Sequence, residues 1–174
     1  MSKEKIIVLM GSPKDLQFAA KIKDFIKKEN FSVITIFNVA SAHRTPDKLL
    51  TDLQEYEAKN KSIVYITVAG LSDALSGVVA GFTRFPVIAC PPDSEKYGAM
   101  KIFSSTAMPK GIPVAYIANP ENAALTAIRI FALENSLLQE QLKKFKQKMT
   151  KSVYDGAEEV RKITRKKDIN RLTV

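Results

Sequence analysis

The chain's only histidine, His43, stands in the run Ser41-Ala42-His43-Arg44-Thr45-Pro46, among residue types that move protons and hold anions. An imidazole titrates near neutral pH and can act as an acid or base. Arg44 offers a planar fork of donors that suits a phosphate, and the Ser41 hydroxyl lies one short turn away. A lone histidine is also a common packed or surface residue, and the run alone leaves both readings open. A second run, Gly11-Ser12-Pro13-Lys14-Asp15, combines a glycine that lets backbone N–H groups approach a ligand with a helix start that favours negative charge. Ser12 can donate to an anion there. Asp15 would repel a phosphate at the same distance, so it either accepts hydrogen bonds from a sugar diol or caps the helix. A third run, Gly70-Leu71-Ser72-Asp73-Ala74-Leu75, supplies small residues, backbone donors and a hydroxyl, enough to hold a small neutral or anionic molecule.

Other chemistries are excluded by what the sequence lacks. There is no Walker loop, no GxGxxG fingerprint and no GxSxG elbow, so neither a nucleotide triphosphatase, a dinucleotide enzyme nor a serine hydrolase is supported. No His, Cys or carboxylate group has metal-ligand spacing. Cys90 is the single cysteine, which removes any internal disulfide and reads as a small buried residue in a reducing compartment. The N-terminal apolar run is too short for a signal sequence, and no segment has the ~18 uninterrupted apolar residues of a membrane span. The chain reads as soluble and cytoplasmic, with no membrane partner.

The elements that must position the three runs follow from periodicity. Ile6 to Met10, Phe31 to Val39, Ile63 to Val68, Pro86 to Ala89 and Ile112 to Ile117 read as strands, the last tolerating Pro113 only at an edge or strand start. Between them, Leu16, Ala19, Ile22 and Ile26 mark one helix, and Leu49, Leu50, Leu53 and Tyr56 a second that opens with Pro46. A short helix begun by Ser72 or Asp73 runs to Phe82, Asp93 to Lys110 reads as loop and short helix, and Asn119-Pro120 opens a longer one. This alternation predicts a parallel five-stranded sheet with helices on both faces and right-handed crossovers. In such a sheet ligands bind beyond the carboxyl ends of the strands, where all three polar runs fall.

The net charge of +9 is concentrated at the end of the chain: residues 141–174 hold 11 Lys and Arg against 4 Asp and Glu. Residues 1–140 therefore read as the α/β catalytic domain and 141–174 as a basic helical tail. Leu137, Leu138, Leu142, Phe145 and Met149 form its apolar stripe, and Gly156 is expected to interrupt or kink it. With no sheet left to cover, that stripe is expected to pack on another subunit, the other course being to fold back on its own domain. A basic helix of this kind is a solvated face or an assembly element, so nucleic acid is not an expected partner. A non-catalytic nucleotide-binding module of the same architecture stays open on these grounds, although the acidic cluster of a receiver domain is missing.

Six segments in order, GSxxDL, SAHRTP, GLSDALSG, ACPP, SSTAMPKGIPVA and PENAAL, together resemble the PurE family of aminoimidazole ribonucleotide carboxylases and mutases from purine biosynthesis, over roughly Ile6 to Leu133. The resemblance implies a flavodoxin-like three-layer α/β/α domain in an octamer, with active sites between subunits and no metal, ATP, biotin or other cofactor. Class I members rearrange N-carboxyaminoimidazole ribonucleotide; class II members join aminoimidazole ribonucleotide to carbon dioxide directly. Class I chains carry GGAAHLPG at the third run, with a second histidine. This chain has GLSDALSG there and resembles class II, the mutase being the alternative. Two departures stand out: Asp73 occupies the place of an Asn, and Pro13-Lys14 that of a small polar pair. By resemblance, Ser12, Ser41 and Arg44 would bind the phosphate, with Gly11 and Ala42 in the same loops, and Lys14 would add charge nearby. Asp15 would bind the ribose hydroxyls and His43 would be the acid/base group. Gly70, Ser72, Asp73, Ala74 and Leu75 would wall in carbon dioxide and the new carboxylate.

Overall fold

The computed structural model describes residues 3–92 and 100–171 of the 174-residue chain. Its elements run β1 (Lys5–Met10), α1 (Leu16–Lys28), β2 (Ile34–Val39), α2 (Pro46–Lys59), β3 (Ile63–Val68), α3 (Ala74–Phe82), β4 (Val87–Ala89), α4 (Met100–Thr106), β5 (Ala115–Tyr116), α5 (Pro120–Phe131) and α6 (Ser136–Arg171). A short 3-10 turn, Pro13–Asp15, leads into α1. The sheet has the order β2-β1-β3-β4-β5 with every pairing parallel. That is the flavodoxin-like α/β architecture, and its strand order reverses between β1 and β3.

Alternation along the central strands builds two cores. Ile6, Val8, Met10, Val64, Ile66 and Val68 face α1 and α5, where Ile22, Ala124 and Ile128 meet them. Ile7, Leu9, Ile63 and Tyr65 face the opposite way onto Leu49 and Leu53 of α2 and Leu75 and Val79 of α3. A strand buried on both faces needs apolar residues at every position, which is why β1 and β3 read as continuous runs. Cys90 is fully buried in the first core.

Two strands are shorter than their apolar runs. Phe31 does not join β2: its N–H closes α1 by bonding the Ile26 carbonyl at 3.0 Å, after Asn30 takes a left-handed φ of 56°. This is a helix stop that uses Asn where glycine is commoner. At the far edge only Ala115–Tyr116 pairs with β4, since Pro113 has no N–H for the ladder. The loop expected from Asp93 falls largely on 93–99, outside the described residues.

Tyr65 carries the one buried side-chain polar atom without a hydrogen-bond partner among the described residues. The nearby Thr83 hydroxyl is committed to Glu57 at 2.5 Å. Burial pushes the Tyr65 phenol well above its ordinary value, and the Glu57 charge adds to it. A phenol whose folded pKa is raised stays neutral while the unfolded chain ionises, so stability is full below pH ~10 and falls above it. Tyr65→Phe should raise stability near neutral pH by about 1 kcal/mol by removing the unsatisfied hydroxyl, and should flatten the alkaline fall. Urea melts at neutral and alkaline pH check both.

The last helix corrects two expectations. It runs through Gly156 without interruption, since one glycine costs only about 1 kcal/mol in a long helix of otherwise good formers. Its first part also folds back on its own domain. Leu138 is fully buried in the first core and Leu142 and Phe145 pack against that core. The Phe145 ring meets Phe25 edge-on at 5.6 Å and Phe31 at 5.8 Å. Gln141 accepts from the Ser32 N–H at 3.0 Å and donates to the Asn30 carbonyl at 2.9 Å, and Lys148 pairs with Glu29 at 2.8 Å. The surface left open by α1 and α5 is what the stripe covers. Beyond Lys148 the stripe is uncovered: Met149, Val153, Val160 and Ile163 are 50–73% exposed. No helix among the described residues is long and apolar enough to cross a membrane.

Candidate functional site

The loops that follow β1, β2 and β3 meet at the carboxyl edge of the sheet around an open cleft of about 650 Å³. Parallel pairing in register makes this so: Met10 lies beside both Val39 and Val68, so the three strands end level. The Gly11 N–H donates to the Val68 carbonyl and the Ala40 N–H to the Met10 carbonyl, carrying the ladder into the loops. The first loop lines the cleft with Gly11, Ser12, Lys14 and Asp15. The second contributes Ser41, Ala42, His43 and Arg44, and the third Gly70, Leu71, Ser72 and Leu75.

The two serine hydroxyls are arranged as donors. Ser12 Oγ accepts from the Lys14 N–H at 3.3 Å, and Ser41 Oγ accepts from the Arg44 N–H at 3.2 Å. A hydroxyl whose oxygen is engaged in this way still has its proton to give to an anion. Thr45 sets the second turn: its hydroxyl oxygen accepts from the Ser41 N–H at 2.9 Å and its own N–H donates to the Ser41 carbonyl at 2.9 Å. Arg44 reaches toward the Gly11 carbonyl at 3.5 Å, which brings its guanidinium over the first loop. His43 is exposed on the same turn.

Asp15 is buried yet makes no side-chain cap to α1. Its carboxylate lies instead against Gly70: a Cβ placed on Gly70 would stand 3.3 Å from Asp15 Oδ1 and 3.5 Å from Pro92 Cγ. Glycine at this point lets the first and third loops and the turn after β4 close together. A carboxylate so placed suits hydroxyl donors on a ligand better than a phosphate.

Two expected residues do not line the cleft. Asp73, only 2% exposed, is turned inward and caps α3: its Oδ1 accepts from the Ser76 N–H at 3.1 Å and its Oδ2 from the Ser105 hydroxyl at 2.6 Å and from the Ser76 hydroxyl. Ala74, the first residue of α3, is likewise absent from the lining. An Asp directly before a helix finds its best partners in that helix's own free N–H groups, and this draws the carboxylate away from the loop surface. Conversely Leu71, which lines the cleft, and the positioning residues Thr45 and Pro92 were not among the expected binding residues, while Lys14 lines it where added charge was expected. Thr45 directly before Pro46 is the signal that could have found one of them. No group of three or more His, Cys, Asp or Glu among the described residues could hold a metal ion.

Sheet order and cleft position first define the class: a flavodoxin-like α/β domain with an open cleft where β1 and β3 part, the place where ligands bind in sheets of this kind. The family model for AIR carboxylase matches residues 5–152. The chain belongs to the AIR carboxylase family and is an enzyme of the PurE type. It is 41% identical to the phosphoribosylaminoimidazole carboxylase of Archaeoglobus fulgidus, over 90% of this chain and 85% of that one. It is 40% identical to the N5-carboxyaminoimidazole ribonucleotide mutase of Methanocaldococcus jannaschii, over 91% and 98%. The crystal structure of Treponema denticola PurE superposes with a TM-score of 0.83 at 38% identity, covering 87% of this chain and 95% of that chain.

Proposed function

We propose that this enzyme forms 4-carboxy-5-aminoimidazole ribonucleotide directly from aminoimidazole ribonucleotide and carbon dioxide. Relatives named carboxylase and mutase are about equally similar to it, so overall identity does not separate the two reactions. The observation that carries the choice is local. His43 is the chain's only histidine and lines the cleft, while the third loop lines it with Gly70, Leu71, Ser72 and Leu75 and no second histidine. Asp73 is turned inward to Ser76 and Ser105, so its anion does not face the cleft where a carboxylate product would form.

In this reading the Ser12 and Ser41 hydroxyls and Arg44 hold the phosphate, with Lys14 adding charge, and Asp15 accepts from the ribose hydroxyls. The aminoimidazole ring is an electron-rich enamine. Its carbon 4 attacks the carbon of carbon dioxide, one C–O π pair moves onto oxygen, and the ring is left cationic with a proton still on carbon 4. Neutral His43 takes that proton and the ring recovers its aromaticity. Backbone donors of Gly70, Leu71 and Ser72 would stabilise the carboxylate as its charge develops. The mutase is the second reading, favoured by the Methanocaldococcus relative's name. Purified protein given aminoimidazole ribonucleotide and bicarbonate, without ATP, should form product; a requirement for the N-carboxylated substrate instead would establish the mutase.

The same proposal includes a homo-oligomer, an octamer as in the family, in which a second copy covers the stripe of α6 beyond Lys148. The 50–73% exposure of Met149, Val153, Val160 and Ile163 supports it. Removing residues 152–174 should leave the domain folded, since Leu138, Leu142 and Phe145 stay docked, but should reduce the particle mass measured by light scattering. An unchanged mass would argue against the role.

A further inference from the structure

Behind the third loop, a buried polar chain crosses three elements. Thr67 on β3 lies 2.7 Å from Ser76 of α3, oxygen to oxygen. Ser76 bonds Asp73, Asp73 Oδ2 accepts from Ser105 of α4 at 2.6 Å, and the Asp73 N–H donates to Ser104 Oγ at 3.1 Å. Thr67, Asp73, Ser76 and Ser105 are each at most 2% exposed. A carboxylate has no proton, so Ser76 and Ser105 must both donate to it, and Ser76 then accepts from Thr67. Every hydroxyl in the chain thus has one direction. A further close contact joins the same elements: a Cβ on Gly77 of α3 would stand 3.2 Å from Met108 Sδ, just past α4.

We infer that Asp73 is a positioning residue for carboxylation: its carboxylate clamps α3 and α4 to β3 and thereby fixes the Gly70–Leu75 wall opposite His43. The inference rests on the proposed function above. Asp73 directly precedes α3 and directly follows Ser72, a cleft residue, so its anchoring determines where the loop's backbone donors point. The phosphate donors sit on the other two loops and are untouched by it. The clamp therefore acts on the reacting end of the substrate, and its loss appears in kcat rather than in ribonucleotide affinity.

Asparagine can replace the carboxylate if the chain reverses. The Ser76 N–H still needs an acceptor at the Oδ1 position, so the amide nitrogen takes the Oδ2 position and donates. Ser76 then donates to Thr67, whose hydroxyl is already 3.3 Å from the Ile88 carbonyl and can donate there. Alanine offers no such route and leaves the hydroxyls unpaired.

Steady-state kinetics and thermal melts of Asp73→Ala, Asp73→Asn and Ser105→Ala test this. Asp73→Ala should lower kcat on the order of tenfold to a hundredfold, with KM for aminoimidazole ribonucleotide within about threefold of the parent. Asp73→Asn should restore kcat to within a few-fold. If Asp73→Ala does not fold, Ser105→Ala, which removes one donor only, should show the same kcat-selective loss in smaller measure. Parental kcat in a folded Asp73→Ala or in Ser105→Ala, a KM that rises in step with the loss, or an Asn variant as poor as Ala would each overturn the clamp. Inactivity of the parent protein with aminoimidazole ribonucleotide would count against the carboxylase reading instead, and the same variants would then be compared on the N-carboxylated substrate.

Discussion

His43→Asn is expected to lower turnover by a factor on the order of 10² or more, the range that general acid/base groups contribute. The variant should fold normally. His43 is exposed on the turn after β2, outside both buried cores, and the turn itself is held by Ser41, Arg44 and Thr45. Asparagine keeps a polar group of similar reach but cannot accept a proton at neutral pH. Since the proposed phosphate donors stay in place, KM for the ribonucleotide should change little and the loss should fall on kcat. Near-parental turnover in a variant with an unchanged thermal melt would remove His43 from the mechanism.

Arg44→Ala should act on the other parameter. Charge-assisted hydrogen bonds to a phosphate contribute about 1.5–3 kcal/mol, which corresponds to a rise in KM of roughly tenfold to a hundredfold. Turnover at saturating substrate should be far less affected, because the phosphate is bound alike in ground and transition states. Arg44→Lys should recover part of the affinity: the charge remains but the paired donors do not. An unchanged KM in Arg44→Ala would mean that Ser12, Ser41 and Lys14 hold the phosphate without it.

These predictions depend on loops that could be read from the residues because the sheet leaves little freedom. β1 and β3 are buried on both faces, so unbroken apolar runs marked them, and their ends fixed where Gly11 and Gly70 must lie; β2, in register beside β1, sets Ser41 level with them. What escaped was decided by contacts between segments distant in sequence. Phe31 looks like a strand residue by type, yet it ends α1 and stacks near Phe145, 114 positions later in the chain. Leu142 and Phe145 were expected to seek a partner subunit because periodicity shows that a face is apolar without showing what covers it. Asp73 reads both as a start of α3 and as part of the site wall, and only the placement of Ser76 and Ser105 decides between them. The resemblance to PurE supplied the roles of Ser12, Asp15 and Arg44, which spacing alone left open.

The most direct test of the central claim follows the carbon. The parent enzyme would be given aminoimidazole ribonucleotide and isotopically labelled bicarbonate without ATP, and the label in the product's ring carboxylate would be measured by mass spectrometry. Direct carboxylation predicts that label enters at the rate of product formation and that His43→Asn slows both together. Product that forms only from added N-carboxyaminoimidazole ribonucleotide, with its own unlabelled carboxylate retained, would contradict it.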